Sequence, residues 1–207
     1  MIRTACAAFF LVFLWAGPAA AFNEDDLGRL LLTGNCPACD LQGAELGAMN
    51  LAGANLQGAN LAQAQLRGVD LTGANLRSAN LEKAELSSAV LRKARIDSAH
   101  FLGARLLGAD LQETSAEAAP PVFSGARLKG ARFDQAALDA ADFRGAQLSG
   151  ANLDRASLRG ADLREADLSG ASFVAARLSK ADFTGAAIDS DQLRGAQVDQ
   201  ARGLALN

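Results

Sequence analysis

The residues best suited to chemistry sit in "NCPACDLQGAEL", where Cys36 and Cys39 stand three positions apart. Such a pair can be a redox dithiol, a local disulfide or half of a metal site. A structural zinc needs about four ligands. The one other cysteine is Cys6, near the N-terminus, and the one histidine is His100, far along the chain. Nucleophile-elbow, phosphate-loop and zinc-protease patterns are absent, and nothing near His100 in sequence is a partner for it. The expectation is therefore no enzyme, no cofactor and no metal.

Whether Cys36 and Cys39 react depends on the element that holds them, and that element is repetitive. With Leu41 as a centre i, steps of five land on Leu46, Leu51 and Leu56 and continue to Leu111. A second run steps from Phe123 through Phe133, Phe143, Phe173 and Phe183 to Val198. All 31 centres are Leu, Phe, Ile or Val, and 26 have Ala two positions earlier; Cys39, Met49, Val69, Pro121 and Asp191 are the exceptions.

Neither common element has this period. Five residues rotate an α-helix by about 140°, which spreads the centres over every face, and an odd step on a flat strand alternates sides. A chain that turns about 90° every five residues sends every centre to a common axis and closes a square coil in about 20 residues. Gly53, Gly58, Gly73, Gly150 and Gly160, each two positions after a centre, suit a turn at each corner. Alanine at i−2 suits a second inward site with room for one methyl group.

The stretches "ANLQGANLAQAQLRGVDLTGANL" and "ANLDRASLRGADLREADLSGASF" resemble the pentapeptide-repeat proteins. The resemblance implies an all-β solenoid, the right-handed quadrilateral β-helix of that family, with i and i−2 inside and i−1, i+1 and i+2 outside. About 31 repeats give about 8 coils, a rod of roughly 37 Å at the strand spacing of about 4.8 Å.

Columns formed by stacked coils bring distant residues together. Phe123, Phe143 and Phe183 share an interior column with Leu163, and Phe133 and Phe173 share another with Leu153. They read as core rather than as an aromatic ligand box. Outside, Asn55 stacks with Asn75 and Asn60 with Asn80, a geometry for amide ladders. Asp142, Asp162 and Asp182 stack as well, but Arg144 and Arg164 on the same face favour a solvated ion-paired surface over a cation site.

In this frame Cys36 falls at a centre and Cys39 at i−2, so both point inward. Cys-Pro-x-Cys also resembles the redox motif of the thioredoxin superfamily, which requires the pair to open a helix after a strand. A disulfide, buried thiols and redox or metal chemistry stay open. A disulfide this short closes a small loop and adds little chain-entropy stabilisation.

Residues 1–21 read as a signal peptide: Arg3, an apolar stretch from Ala5 to Ala16, and Ala19 and Ala21 at the positions a signal peptidase inspects. The apolar stretch is short of the roughly 20 residues that span a bilayer. The expectation is a periplasmic or secreted chain with no stable membrane anchor after cleavage, a setting in which disulfides persist. Residues 22–35 predict a helical cap over the solenoid's open end, with Asn23 as N-cap, acids in the first turn and Leu27, Leu30 and Leu31 as its apolar stripe.

Repeats occupy 36–111 and 123–200, and 201–207 form a tail. Between the runs, 112–122 shifts the frame by two positions, and Pro120 and Pro121 predict a loop there.

Formal charge is −3 for the whole chain, and acids and bases nearly balance within the repeats, which gives no bias towards nucleic acid. The expected function is an exported, non-catalytic scaffold that presents flat faces to a protein partner or organises the envelope. The family resemblance implies an alternative, a duplex-DNA mimic that binds type II topoisomerases; the export signal and neutral repeats disfavour it. The third reading is a thiol redox protein acting through Cys36 and Cys39.

Overall fold

The protein's computed structural model describes residues 22–204, so the expected signal peptide at 1–21 and the end of the expected tail lie outside the described residues. Its architecture is set at the corners. Ala44 N donates to Leu41 O at 3.0 Å, Ala59 N to Leu56 O at 3.0 Å, and the same bond recurs along the chain. The third residue of these four-residue turns has a positive φ, 70° at Gly43 and 54° at Ala48, as a type II turn requires. Glycine adopts this conformation without steric penalty, yet 16 non-glycine residues at i+2 adopt it too. A left-handed residue with a Cβ costs roughly 1–2 kcal/mol, so the stacking must more than offset it.

Between corners the chain is extended and pairs in parallel with the same side of the next coil: Asn35 with Asn55, Asn55 with Asn75, Asp142 with Asp162. Leu41 N donates to Asn60 O, and Asn60 N donates to Cys39 O, both at 2.8 Å. Each short link is thus tied to the coil on either side, and the chain is a β-helix solenoid. Alternation along the link turns i and i−2 inward and i−1 outward. Leu41, Leu46 and Leu56 are fully buried, as are Phe123, Phe133, Phe143, Phe173 and Phe183, and Leu51 is nearly so.

Two places depart from the period. At the first, residues 112–116 keep the repeat: Thr114 is buried, Ser115 pairs with Arg95, and Ala116 N donates to Ala137 O at 3.0 Å. The irregular segment expected at 112–122 therefore narrows to 117–120. Pairings that cross it reach two positions further along the chain, His100 with Val122 in place of position 120, until the coil is completed. This places Phe101 in the column of Phe123 and Phe143, where the three rings stack with centroids 4.7 and 4.9 Å apart. Phe133 meets Phe123 and Phe143 edge-on at 5.7 and 5.8 Å.

The second departure corrects the expectation of unbroken repeats to 200. Where Asp191 replaces alanine at i−2, a 3₁₀ turn, Ser190–Leu193, forms, and Ser172 has no bridge partner above it. Gln192 N bonds to Asp189 O within the turn, so it cannot serve the coil below. The Gln192 side chain replaces it, donating to Ala171 O at 2.8 Å and Leu168 O at 2.7 Å. Leu193 still reaches the core, while Ile188 and Val198 are only partly buried.

The corner conformation generates a paired prediction for unfolding by denaturant. Ala140→Gly, at φ 59°, is expected to raise stability by about 0.5–1 kcal/mol, the relief of left-handed strain less glycine's entropy cost. Gly150→Val, at φ 66° where a Cβ would meet nothing within 4 Å, is expected to lower it by at least about 1 kcal/mol through strain alone. Two changes of the same sign would contradict the turn assignment.

Candidate functional site

Helix α1, Glu24–Thr33, begins at Asn23, whose side chain accepts from Asp25 N and Asp26 N, and ends at Gly34, whose N–H donates to Leu30 O. Three acids in its first turn suit the positive end of the helix dipole. Leu30 is buried, and Leu27 and Phe22 pack partly on the core. Leu31, expected in the buried stripe, faces out, and Leu32 is 87% exposed.

Polar contacts dock α1 on the first coil. Asn23 N donates to Asp40 O at 2.9 Å, and Asp40 N donates to Asp26 Oδ2 at 2.8 Å. Arg29 Nη2 lies 2.8 Å from Asp26 Oδ1 and 2.7 Å from Cys39 Sγ. Cys36 and Cys39 are both fully buried and are joined as a disulfide, with Cα atoms 5.4 Å apart. Cys36 Sγ sits 3.1 Å from Asp26 O, a contact without a proton while the sulfurs are bonded.

Asp26 with the two cysteines is the single group of such ligands drawn together among the described residues. An ion there would meet the Arg29 guanidinium and sulfurs already committed to each other. The pair follows a helix and enters a coil; it does not open a helix after a strand, so the oxidoreductase arrangement is absent at this motif.

The outward columns satisfy one another along the rod. Asn55 Nδ2 donates to Asn35 Oδ1 at 2.9 Å, and Asn75 Nδ2 to Asn55 Oδ1 at 3.1 Å. A second ladder runs from Asn80 to Asn60 at 3.4 Å and from Asn60 to Asp40 at 3.0 Å. Arg144 grips Asp142 through Nε and Nη2 at 2.9 and 2.7 Å, and Arg164 grips Asp162 in the same way at 2.8 and 2.7 Å. These arginine bonds hold both carboxyls below the usual range.

Asp182 lacks that grip and is held low by Thr184 instead. The stacked carboxylates are thus engaged by donors rather than arranged around a cation. His100 is exposed, between Asn80 and Val122 in its column, and forms no ion pair among the described residues.

Asp97 is a residue whose role the repeat pattern hides. It is buried at i+1, with Oδ1 accepting from Ala118 N at 2.7 Å and Oδ2 from Arg77 Nε at 3.0 Å. Ala118 belongs to the irregular segment, so Asp97 supplies the acceptor that the displaced backbone no longer finds. Burial pushes its carboxyl up, but the Ala118 and Arg77 bonds outweigh that and hold it low. The available signal was the pairing of Arg77 and Asp97 in one column, a coil before the frame shift.

A family model described as pentapeptide repeats matches in 8 copies, over residues 36–73, 74–113, 122–155 and 151–188, more than half of the chain. No curated protein matches it. Among solved structures it is similar to HetL, a pentapeptide repeat protein involved in heterocyst differentiation regulation from the cyanobacterium Nostoc, at 28% identity over 88% of this chain and 92% of that one, with a TM-score of 0.47. It is similar to Rfr23, a pentapeptide repeat protein of the cyanobacterium Cyanothece, at 26% identity over 86% and 97% of the two chains, with a TM-score of 0.37. Trypsin-treated QnrB1, a plasmid-mediated fluoroquinolone resistance protein, shares 22% identity over 80% of each chain, with a TM-score of 0.42.

Asp97→Ala leaves Ala118 N without its acceptor and Arg77 without its partner, an expected loss of about 1–3 kcal/mol. Because Asp97 is held low in the fold, its contribution is complete above the unfolded value of about 3.9 and disappears as pH falls through the lower folded value. Melting followed from pH 7 downwards should therefore show the wild-type advantage over Asp97→Ala unchanged to about pH 5 and shrinking below about pH 4. An advantage that grew on acidification would contradict this assignment.

Proposed function

This chain belongs to the pentapeptide-repeat family, and we propose that it is an exported, non-catalytic scaffold whose outer faces engage a protein partner. In this reading its β-helix is right-handed and quadrilateral, with about 31 repeats in about 8 coils and α1 as the cap of the first coil. Export rests on the composition of residues 1–21. The observation that carries the scaffold reading is the use of the two surfaces. Leucine and phenylalanine fill the interior, and many outward polar groups bond one another in ladders and ion pairs.

One region of the outer surface also carries exposed apolar side chains. Leu102 and Leu107, at i+1 of consecutive repeats, are 46% and 50% exposed. In the next coil Lys129 follows Leu107, and Arg127 follows Arg105. Arg105 pairs with Glu85, whereas Arg127 and Lys129 form no ion pair among the described residues. Exposed leucines beside cations outside any ion pair fit an acidic, partly apolar segment of a partner protein. The mixing of signs within these columns also speaks against a duplex-DNA mimic.

The reading is tested by crosslinked capture of the exported protein from its native cell. Non-cytoplasmic proteins are expected, with recovery falling at least about tenfold for Leu102→Ser combined with Leu107→Ser, the loss of about 1.4 kcal/mol or more. Recovery of cytoplasmic proteins alone would overturn export, and capture indifferent to the double substitution would overturn this face as the contact.

A further inference from the structure

We propose that Cys36–Cys39 is a reversible redox latch beneath α1, in which Arg29 holds the Cys39 sulfur as a thiolate once the bond is reduced. The inference is independent of the scaffold reading. It starts from the different surroundings of the two sulfurs. Cys39 Sγ faces the Arg29 guanidinium at 2.7 Å, a fixed cation and donor. Cys36 Sγ faces the Asp26 carbonyl oxygen at 3.1 Å, an acceptor.

A disulfide has neither a proton to give that carbonyl nor a negative charge to give that guanidinium. The reduced pair has both. Cys36 as a thiol donates S–H to Asp26 O, and Cys39 as a thiolate accepts from Arg29. The opposing charge packed there is the Asp26 carboxylate, with an oxygen within 4.8 Å of both sulfurs; Arg29 and Asp40 N already bond it, and Asp40 turns its side chain to Asn60 on the outer ladder.

This asymmetry sets the direction of attack, because exchange expels the sulfur that is the better leaving group. The thiolate of a dithiol reductant attacks Cys36 Sγ and forms a mixed disulfide. The Cys36–Cys39 bond breaks, and its electron pair leaves on Cys39 against Arg29. The reductant's second thiol, deprotonated, then attacks its own sulfur in the mixed disulfide and expels Cys36, which takes up a proton. Two electrons pass, the protein ends as a dithiol and the reductant as a disulfide.

Both sulfurs are fully buried, and Cys36 lies under the first turn of α1, so attack on it requires that turn to lift from the coil while Arg29 stays against Cys39. The contacts that must part are few: Asn23 N with Asp40 O, Asp40 N with Asp26 Oδ2, and Asp26 O with Cys36 Sγ. The latch therefore ties the cap's position to the thiol–disulfide state of its surroundings.

The test is ultraviolet thiolate absorbance of the reduced full chain as a function of pH. One thiol is expected to titrate clearly below the ordinary value of about 8.5. That low titration should persist in Cys36→Ser, vanish in Cys39→Ser, survive in part in Arg29→Lys and return to the ordinary value in Arg29→Gln. Equilibration with glutathione should show Arg29→Gln shifted towards the disulfide by about tenfold for each pH unit regained. Titration at or above the ordinary value, or a low titration that follows Cys36, would overturn the proposal. Should Arg29→Gln unfold α1, the two single-cysteine variants still decide which sulfur carries the charge.

Discussion

Everything in this molecule depends on one register: the backbone of each extended link bonds to the same side of the coil before it and of the coil after it, as Asn55 does to Asn35 and Asn75. No link is long enough to be a strand with stability of its own. Each contributes one bridge and a few bonds, and the stack makes them cooperative. Because the register is shared by all four sides of a coil, identical positions fall above one another. Buried leucines thereby form a continuous core, phenylalanines stack face to face, and outward asparagines and aspartates find neighbours of the same kind.

The two breaks in register show how strong the constraint is. At 117–120 the chain leaves the coil, and the buried Asp97 carboxylate takes over as acceptor for Ala118 N. At 190–193 the chain winds into a 3₁₀ turn, and the Gln192 amide stands in for its own backbone N–H on Ala171 O. In both cases one side chain repairs the ladder, and the core continues beside it through the Phe101, Phe123 and Phe143 stack and through Leu193. Backbone groups that lose their ladder partner gain a specific side-chain replacement at each break.

The five-residue period was legible because side-chain type alone carries it, and so was the placement of Cys36 and Cys39 inside the rod. The period placed every corner, but the left-handed residue there was signalled only where it is glycine, since Gln63, Lys83 and Arg155 take the same conformation without that signal. Phe101 escaped its column because the column crosses a frame shift whose exact position the sequence pattern left open. Asp97 and Gln192 look like ordinary outward residues until the displaced neighbour is known. Leu31 was misplaced because helical spacing gives a stripe but not the edge of the surface it meets. The contact between Arg29 and Cys39 depends on how α1 lies on the first coil, which no periodicity encodes.

Hydrogen exchange on a variant lacking residues 143–162 tests the coil-to-coil register most directly. The deletion removes one whole coil and joins Asp142 to Leu163, so every later residue keeps its face while Phe123 meets Leu163 in place of Phe143. Amides over 163–183 are expected to retain their wild-type protection in a rod one coil shorter. Loss of protection throughout that region, with the first coils still protected, would show that something other than the register holds the later coils in place.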